Sequence, residues 1–249
     1  MRGSFVIFKR ELFSFWTTPL AWVLLTVFLG LQGGIFTSIV VHTIQQGSAS
    51  PFGPLSAYFG QQSILLTISL LLLCPALTMR SFAEERKTLS IDLLLAAPIR
   101  SSSIVLGKYL AALATYLLIW LPTVLYALIL RPTGTIDLGA LLTSYFGLLL
   151  IGMSSLALGT LLSALAKSQL VALLLTIGVQ FGLFVLGLGE YLLPDGPFRD
   201  LCAHLSLASM LEEISRGLLD SRRVIFHLSL TLWATYITTE MVESWRSSS

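Results

Sequence analysis

The chain has 249 residues, of which 55% are hydrophobic and 11% charged, with a formal net charge of +2. Soluble globular domains carry about 25% charged residues, so the composition excludes an ordinary water-soluble fold and places the chain among integral membrane proteins. The small net charge, without a Lys/Arg-rich tract, excludes a nucleic-acid partner.

The chain opens on SFVIFKRELFSF (Ser4–Phe15). Phe5, Phe8, Leu12 and Phe15 or Trp16 recur at three- and four-residue spacing, with Lys9, Arg10 and Glu11 elsewhere. This pattern predicts a helix lying in the membrane interface over residues 4–16. Thr17–Thr18–Pro19 then supplies a break and a fresh helix start. The apolar run from Pro19 to Val41 exceeds the roughly 7–15 residues of a signal-peptide core, and no small-residue cleavage site follows it, so it reads as a retained first span.

Five further stretches approach the about 20 apolar residues that a helical crossing needs. They are Tyr58–Phe82, Ile104–Leu130, Leu138–Ala166, Leu170–Gly189 and Arg222–Glu243. Leu-rich runs such as Ile64–Leu77 favour helices over membrane strands, which would alternate. The expected fold is therefore an all-α integral membrane domain spanning residues 1–249, with six transmembrane helices. Only Lys167–Ser168–Gln169 separates the fourth and fifth spans, which makes them an antiparallel hairpin. After the turn signal Leu193–Pro197, two apolar repeats at helical spacing predict short outer helices over 198–219, with Gly217 at or just inside the end of the second.

Six spans put both termini on one side. With the termini inside, ten basic residues fall on inner segments and five on outer ones (Arg131, Arg199, Arg216, Arg222 and Arg223). The positive-inside rule supports that orientation.

Recognisable catalytic chemistry is missing from the sequence. Around Gly107–Lys108, Ser102 stands where a phosphate loop needs its first glycine, and Tyr109 where it needs Ser or Thr for magnesium. No catalytic residue, metal ligand set or cofactor site is expected, and Cys74 and Cys202 match no metal or redox spacing. Ser154 and Ser155 raise an intramembrane serine nucleophile, but no histidine is expected beside them to act as base, and small residues in a span read as close packing. The span centres hold almost no ionisable group, which argues against a carrier driven by its own ion gradient. Arg80 and Lys108 are expected to snorkel from inner helix ends. Gly30/Gly34 and Gly178/Gly182 stand four residues apart and could pack helices closely, inside the chain or between subunits.

The densest charge lies between the second and third spans. Arg80, Glu84, Glu85, Arg86, Lys87, Asp92 and Arg100 are concentrated there, in a chain with only 15 basic and 13 acidic residues. Polar residues through Lys87 end the span, Leu89 to Ala97 form an apolar helix of two turns, and Pro98 stops it. Ser101–Ser102–Ser103 offers an N-cap for the third span. The positive-inside rule does not require Glu84 and Glu85, so mixed charge here suits a partner outside the lipid.

This stretch resembles the ABC-2-type permeases, the membrane subunits of a class of ABC transporters. Glu84, Glu85, Arg86, Lys87, Thr88, Leu89, Leu94, Leu95, Pro98, Ile104, Val105, Gly107, Lys108 and Tyr109 carry the resemblance, with Lys87 where that family usually has glycine. His204–Leu230 looks like the subgroup of gliding-motility-associated and nitrous-oxide-accessory permeases, through Ser206, Arg216, Gly217 and Asp220. The resemblance implies a bacterial cytoplasmic membrane protein that pairs with a second permease copy or a paralogue. It also implies a separate pair of ABC-type ATPase subunits, which would hold ATP and magnesium. Residues 84–98 would be the coupling helix, with Glu84, Glu85, Arg86, Lys87, Leu89, Leu93, Leu94 and Pro98 docking the ATPase, and Gly107 and Lys108 receiving the motion. The competing expectations are a stand-alone six-span scaffold or channel and, less favoured, an enzyme acting on lipid.

Overall fold

The computed structural model describes residues 2–46, 57–61, 63–88, 90–91, 99–130 and 137–248. Every regular element among them is helical. In chain order these are α1 (Arg2–Thr17), α2 (Pro19–Gln46), a π-helical turn (Ala57–Gln61), α3 (Ser63–Thr78) and the short α4 (Ala83–Lys87). Next come α5 (Ser101–Trp120), a 3₁₀ turn at Leu121–Thr123, α6 (Val124–Leu130), α7 (Leu138–Leu165) and α8 (Gln169–Leu192). The chain closes with α9 (Pro197–Leu205), α10 (Leu207–Ser215) and α11 (Ser221–Ser248).

The break expected at Thr17–Pro19 divides α1 from α2. Pro122 lies where the third expected span loosens into a 3₁₀ turn, since a ring nitrogen cannot donate in a helical ladder. Asp137 starts α7 by accepting the Gly139 amide at 2.8 Å, and Ser168 starts α8 by accepting from Val171 at 3.3 Å. The Ser168 cap lies in the tight α7–α8 turn. The third span departs from expectation at its start. Arg100 holds the N-cap position without a side-chain bond, and the Ser101 hydroxyl instead donates to the Glu243 carboxylate of α11.

Among the described residues, four stretches are long and apolar enough to cross a membrane: Pro19–His42, Ser101–Ile129, Leu138–Leu165 and Gln169–Leu192. The chain is thus a multi-pass, all-helical membrane protein. Two of the six expected spans differ from these four. Helix α3 has 16 residues, about 24 Å at 1.5 Å per residue, short of the about 30 Å hydrocarbon thickness. Helix α11 has 28 residues, but its composition is too polar to qualify.

The burial pattern of α11 explains that polarity. Arg223, His227, Thr231, Ala234, Thr238 and Val242 form one buried stripe, while Ile225, Leu232, Trp233 and Tyr236 are exposed on the other side. Its polar face points into the protein and its apolar face outward, the reverse of a helix in a water-soluble bundle. Its neighbour α7 is the most buried of the long apolar helices and forms the centre around which α3, α5, α8, α10 and α11 pack. Small residues on α7 admit large neighbours. A Cβ at Gly147 would collide with Ile214, one at Gly152 with the Tyr116 ring, and one at Gly159 with Thr78.

The glycines singled out in the sequence are different. A Cβ at Gly30, Gly34, Gly178 or Gly182 would meet nothing within 4 Å. None of the four packs against another helix among the described residues.

The short helices after α8 also differ from expectation. Helix α9 buries no side chain and rests at the end of the bundle. Helix α10 instead drives Met210, Leu211 and Ile214 into the main core. Gly217, at φ +80°, ends α10, with its amide donating to Ile214 and the Leu218 amide to Glu213, each at 3.1 Å.

Candidate functional site

The chain reverses between α3 and α5 at residues 80–91, and this segment is held by four other elements. The backbone amides of Phe82 and Ala83 both donate to the Ser163 hydroxyl of α7, at 3.1 and 3.2 Å. That side chain satisfies the start of α4, where no intrahelical partner exists. Arg86 donates to the Ala164 carbonyl at 2.6 Å, and its guanidinium sits 4.8 Å from the Trp245 ring centre of α11. Phe82 is fully buried and packs edge-on against the same tryptophan.

A buried ammonium lies at the middle of this hub. The Lys108 side chain is 2% exposed, and its Nζ lies 3.1 Å from Glu11 Oε1 of α1 and 2.9 Å from Glu85 Oε1 of α4. The Phe82 ring, centred 5.2 Å away, covers it on a third side. Arg10 closes the circuit, 2.6 Å from Glu11 and 3.1 Å from Glu85. Three elements distant in sequence therefore meet on one cation. Burial alone would raise the Glu11 pKa, but the Lys108 charge and the hydrogen bond from Arg10 outweigh it and hold the carboxyl below its ordinary value.

Gly107 makes this geometry reachable. A Cβ there would stand 2.8 Å from Ile7 Cγ2 and 3.0 Å from the Ser4 carbonyl oxygen. The missing side chain lets α1 lie directly on the start of α5, which brings Glu11, one turn beyond Ile7, to Lys108. Ile7 is accordingly buried, whereas Phe5 and Phe13 of the same helix are exposed. A helix is present over the expected residues; its contact with the protein runs through Ile7, Glu11 and Phe15, while Phe5 and Phe13 are exposed.

The residues expected to face a partner are split. Lys87 is exposed, and Glu84, with a side chain 41% exposed, pairs with Arg80 at 3.1 Å. Glu85 and Arg86 point back into the protein, and Gly107 and Lys108 lie beneath them. Lys108 does not snorkel, because two carboxylates neutralise it where it is buried. Leu89, Leu93, Leu94 and Pro98 lie outside the described residues, as does most of the apolar part of the 84–98 helix. The polar residues Glu84–Lys87, expected to cap the preceding span, are themselves helical. Sequence reasoning missed Glu11, Ser163 and Trp245. The available signal was a lone carboxylate at Ile7 + 4, on the face that meets Gly107.

A second polar cluster lies at the opposite end. Arg223 is nearly buried and donates to the Ser206 carbonyl at 3.1 Å and to Glu213 Oε1 at 3.0 Å. Ser209 donates to Glu190 Oε2 at 2.8 Å, tying α10 to α8. Burial raises the Glu213 pKa, and the carboxylates of Asp220, Glu190 and Glu212 add to it against the opposing pull of Arg223.

Between the two ends, the structure corrects the expectation about Ser154. His227 of α11 does lie beside it, with Nδ1 2.7 Å from Oγ. The pair borders a cavity of about 50 Å³ whose described lining includes Gln180 but no carboxylate to orient the imidazole. The Ser154 hydroxyl also lies 3.0 Å from the Ile151 carbonyl. The pair thus joins the polar stripe of α11 to α7. Among the described residues, no group of three or more His, Cys, Asp or Glu side chains could hold a metal ion.

No curated protein matches the chain. Residues 6–189 match the family model described as ABC-2 family transporter protein. The match covers well over half of the sequence, from α1 through most of α8, and contains the whole Lys108 cluster. The chain belongs to the ABC-2 family of transporter proteins.

Proposed function

We propose that the chain is the permease subunit of an ATP-driven transporter that takes its energy from a separate ATPase through the segment Glu84–Pro98. The observation that carries this reading is Lys108, which joins Glu85 of that segment to Glu11 of α1 and to the body of α5. A push on α4 would reach α5 through the Lys108 ammonium, α7 through Ser163 and α11 through Arg86 and Trp245. Glu84 and Lys87 supply the outward charges for an orientation-specific contact, and Glu85 and Arg86 carry force inward. On this reading the chain binds no nucleotide, metal or other cofactor, and ATP with magnesium is held by the ATPase pair. Hydrolysis there would drive export of a substrate or a mechanical output.

The proposed topology has six crossings, with α3 completed by its flanking turns and α11 crossing with its apolar side to lipid. Both termini are placed in the cytoplasm of a bacterial cell, within the inner membrane. Gly30/Gly34 and Gly178/Gly182, open on the chain's surface, are candidate contacts with a second permease copy or a paralogue. The segment from Ser206 to Asp220 supports assignment to the gliding-motility and nitrous-oxide-accessory subgroup.

The test is reconstitution with the ATPase encoded beside this chain. Lys87→Glu changes an exposed charge, and such surface changes usually alter stability by less than about 0.5 kcal/mol. It should leave the thermal midpoint in place while weakening ATPase binding and its stimulation. Unchanged binding would remove Lys87 from the interface. Absence of any ATPase that binds the wild-type chain would favour the stand-alone scaffold or channel. Cysteines at positions 87 and 218 fix the orientation. An impermeant thiol reagent added to intact cells should label Leu218→Cys and spare Lys87→Cys.

A further inference from the structure

A cleft of about 680 Å³ opens between α1, the end of α3 and the start of α5. Its walls change character with depth. At one end they carry Arg10, Arg80 and Lys108 with Glu11, Glu84 and Glu85. One to two turns further along the same three helices they carry Phe15, Leu77, Ala111 and Ala112, with the uncharged hydroxyl residues Ser14 and Thr115 beside them. This gradient runs along the helix axes, from a charged floor into an apolar slot.

Among the described residues the charged end holds three cations and three carboxylates, so a net anion gains no net attraction from them. Two buried side-chain atoms there have no hydrogen-bond partner among the described residues. They are Glu85 Oε2, an acceptor, and Arg80 Nε, a donor that lies 3.1 Å from Glu84 outside hydrogen-bonding geometry. Buried polar atoms without partners are uncommon, and each calls for a ligand or solvent. An acceptor and a donor left open in one neutral cleft fit a ligand bearing both an ammonium and an anionic oxygen. The apolar slot beyond fits a hydrocarbon chain.

We infer that this cleft binds an aminophospholipid, with the ammonium on Glu85, the phosphate on Arg80 and an acyl chain running past Phe15 and Ala112. A choline headgroup lacks the N–H donors that Glu85 Oε2 requires, and a glycerol headgroup lacks the cation. The site therefore discriminates by headgroup. This inference needs no ATPase and stands or falls separately from the docking role of Lys87.

The full chain, delipidated in detergent, would be titrated with phosphatidylethanolamine, phosphatidylcholine and phosphatidylglycerol of matched acyl chains and observed by native mass spectrometry. One copy of phosphatidylethanolamine should be retained at least several-fold more strongly than the other two. Arg80→Gln should lower retention of all three lipids, because each carries the phosphate that Arg80 would meet. Ser14 is an exposed wall residue, so Ser14→Trp should block the slot and lower retention of all three lipids, with the thermal midpoint of the unliganded protein unchanged. Glycerophosphoethanolamine, which has the headgroup without the chains, should not displace the lipid at equal concentration. Equal retention of the three lipids, or wild-type retention in both variants, would overturn the inference. Full displacement by glycerophosphoethanolamine would overturn the membrane lipid as the ligand and assign the cleft to a soluble zwitterion.

Discussion

The two ends of the bundle each bury one cation, and they use it differently. At one end Lys108 is a compact ammonium held by carboxylates from α1 and α4, residues separated from it by 97 and 23 positions, and among the described residues no backbone carbonyl shares the load. At the other end Arg223 spreads a planar guanidinium over the Ser206 carbonyl, Ser209 and Glu213, all within 17 positions. The first arrangement joins parts of the chain that nothing local would bring together. The second fastens a helical cap to the helix that follows it. A cation that depends on other side chains fails as a unit when one is lost, whereas one that also holds a carbonyl retains part of its environment.

That difference can be broken at its strongest point first. Lys108→Met leaves Glu11 and Glu85 facing each other with only the exposed Arg10 as counter-ion, and removal of one partner from a buried ion pair costs about 3–5 kcal/mol. The thermal midpoint should fall sharply, and limited proteolysis should begin to release α1. Lys108→Arg should recover only part of the loss, because the pocket under Phe82 is built for a smaller group. Arg223→Gln should cost less, about 1.5–3 kcal/mol for lost hydrogen bonds to a charged group. Hydrogen exchange should then rise in α9 and α10 with α1 unaffected. Equal losses for the two substitutions would remove the distinction.

Acid should separate the ends more finely, because the two carboxylates shift in opposite directions from the ordinary value of 4.5. Glu11 is lowered, so its contribution is complete above 4.5 and is lost only as pH falls through its lower folded value. Glu213 is raised, so the folded state takes up that proton more readily than the unfolded state, and its effect on stability becomes more favourable as pH falls toward 4.5. Melts between pH 7 and pH 4 should show Glu11→Gln destabilising at pH 7, with the deficit shrinking below 4.5. Glu213→Gln should match or exceed wild type at pH 7 and lose that advantage as wild-type Glu213 protonates. Parallel profiles for the two variants would show that the ends titrate alike.

Membrane class, the α1–α2 break, the α7–α8 hairpin and the charged segment were legible in the sequence, because hydropathy and breaker residues act locally. The Lys108 cluster was half legible. Mixed charge marked Glu84 and Glu85, but the partners of Lys108 depend on α1 folding back onto Gly107, which no local pattern encodes. The glycine pairs were half legible for a related reason. Four-residue spacing records that a helix could be approached closely, not that a neighbour is there. Ser154 and His227 were unreadable as a pair, since 73 residues and the rotation of α11 decide whether they meet.

The inward polar stripe of α11 bears on how the protein is made. A helix lined by Arg223, His227, Thr231 and Thr238 gains too little from hydrocarbon to partition by itself. On the proposed topology, in which α11 crosses, it becomes a favourable guest once α7 offers Ser154 and a groove of small residues. The final helix would then enter the bilayer after its predecessors have assembled, as a late addition to an existing wall. Maturation of the nascent chain would wait on that step, and damage to α7 would surface first as failed insertion of the C-terminal segment.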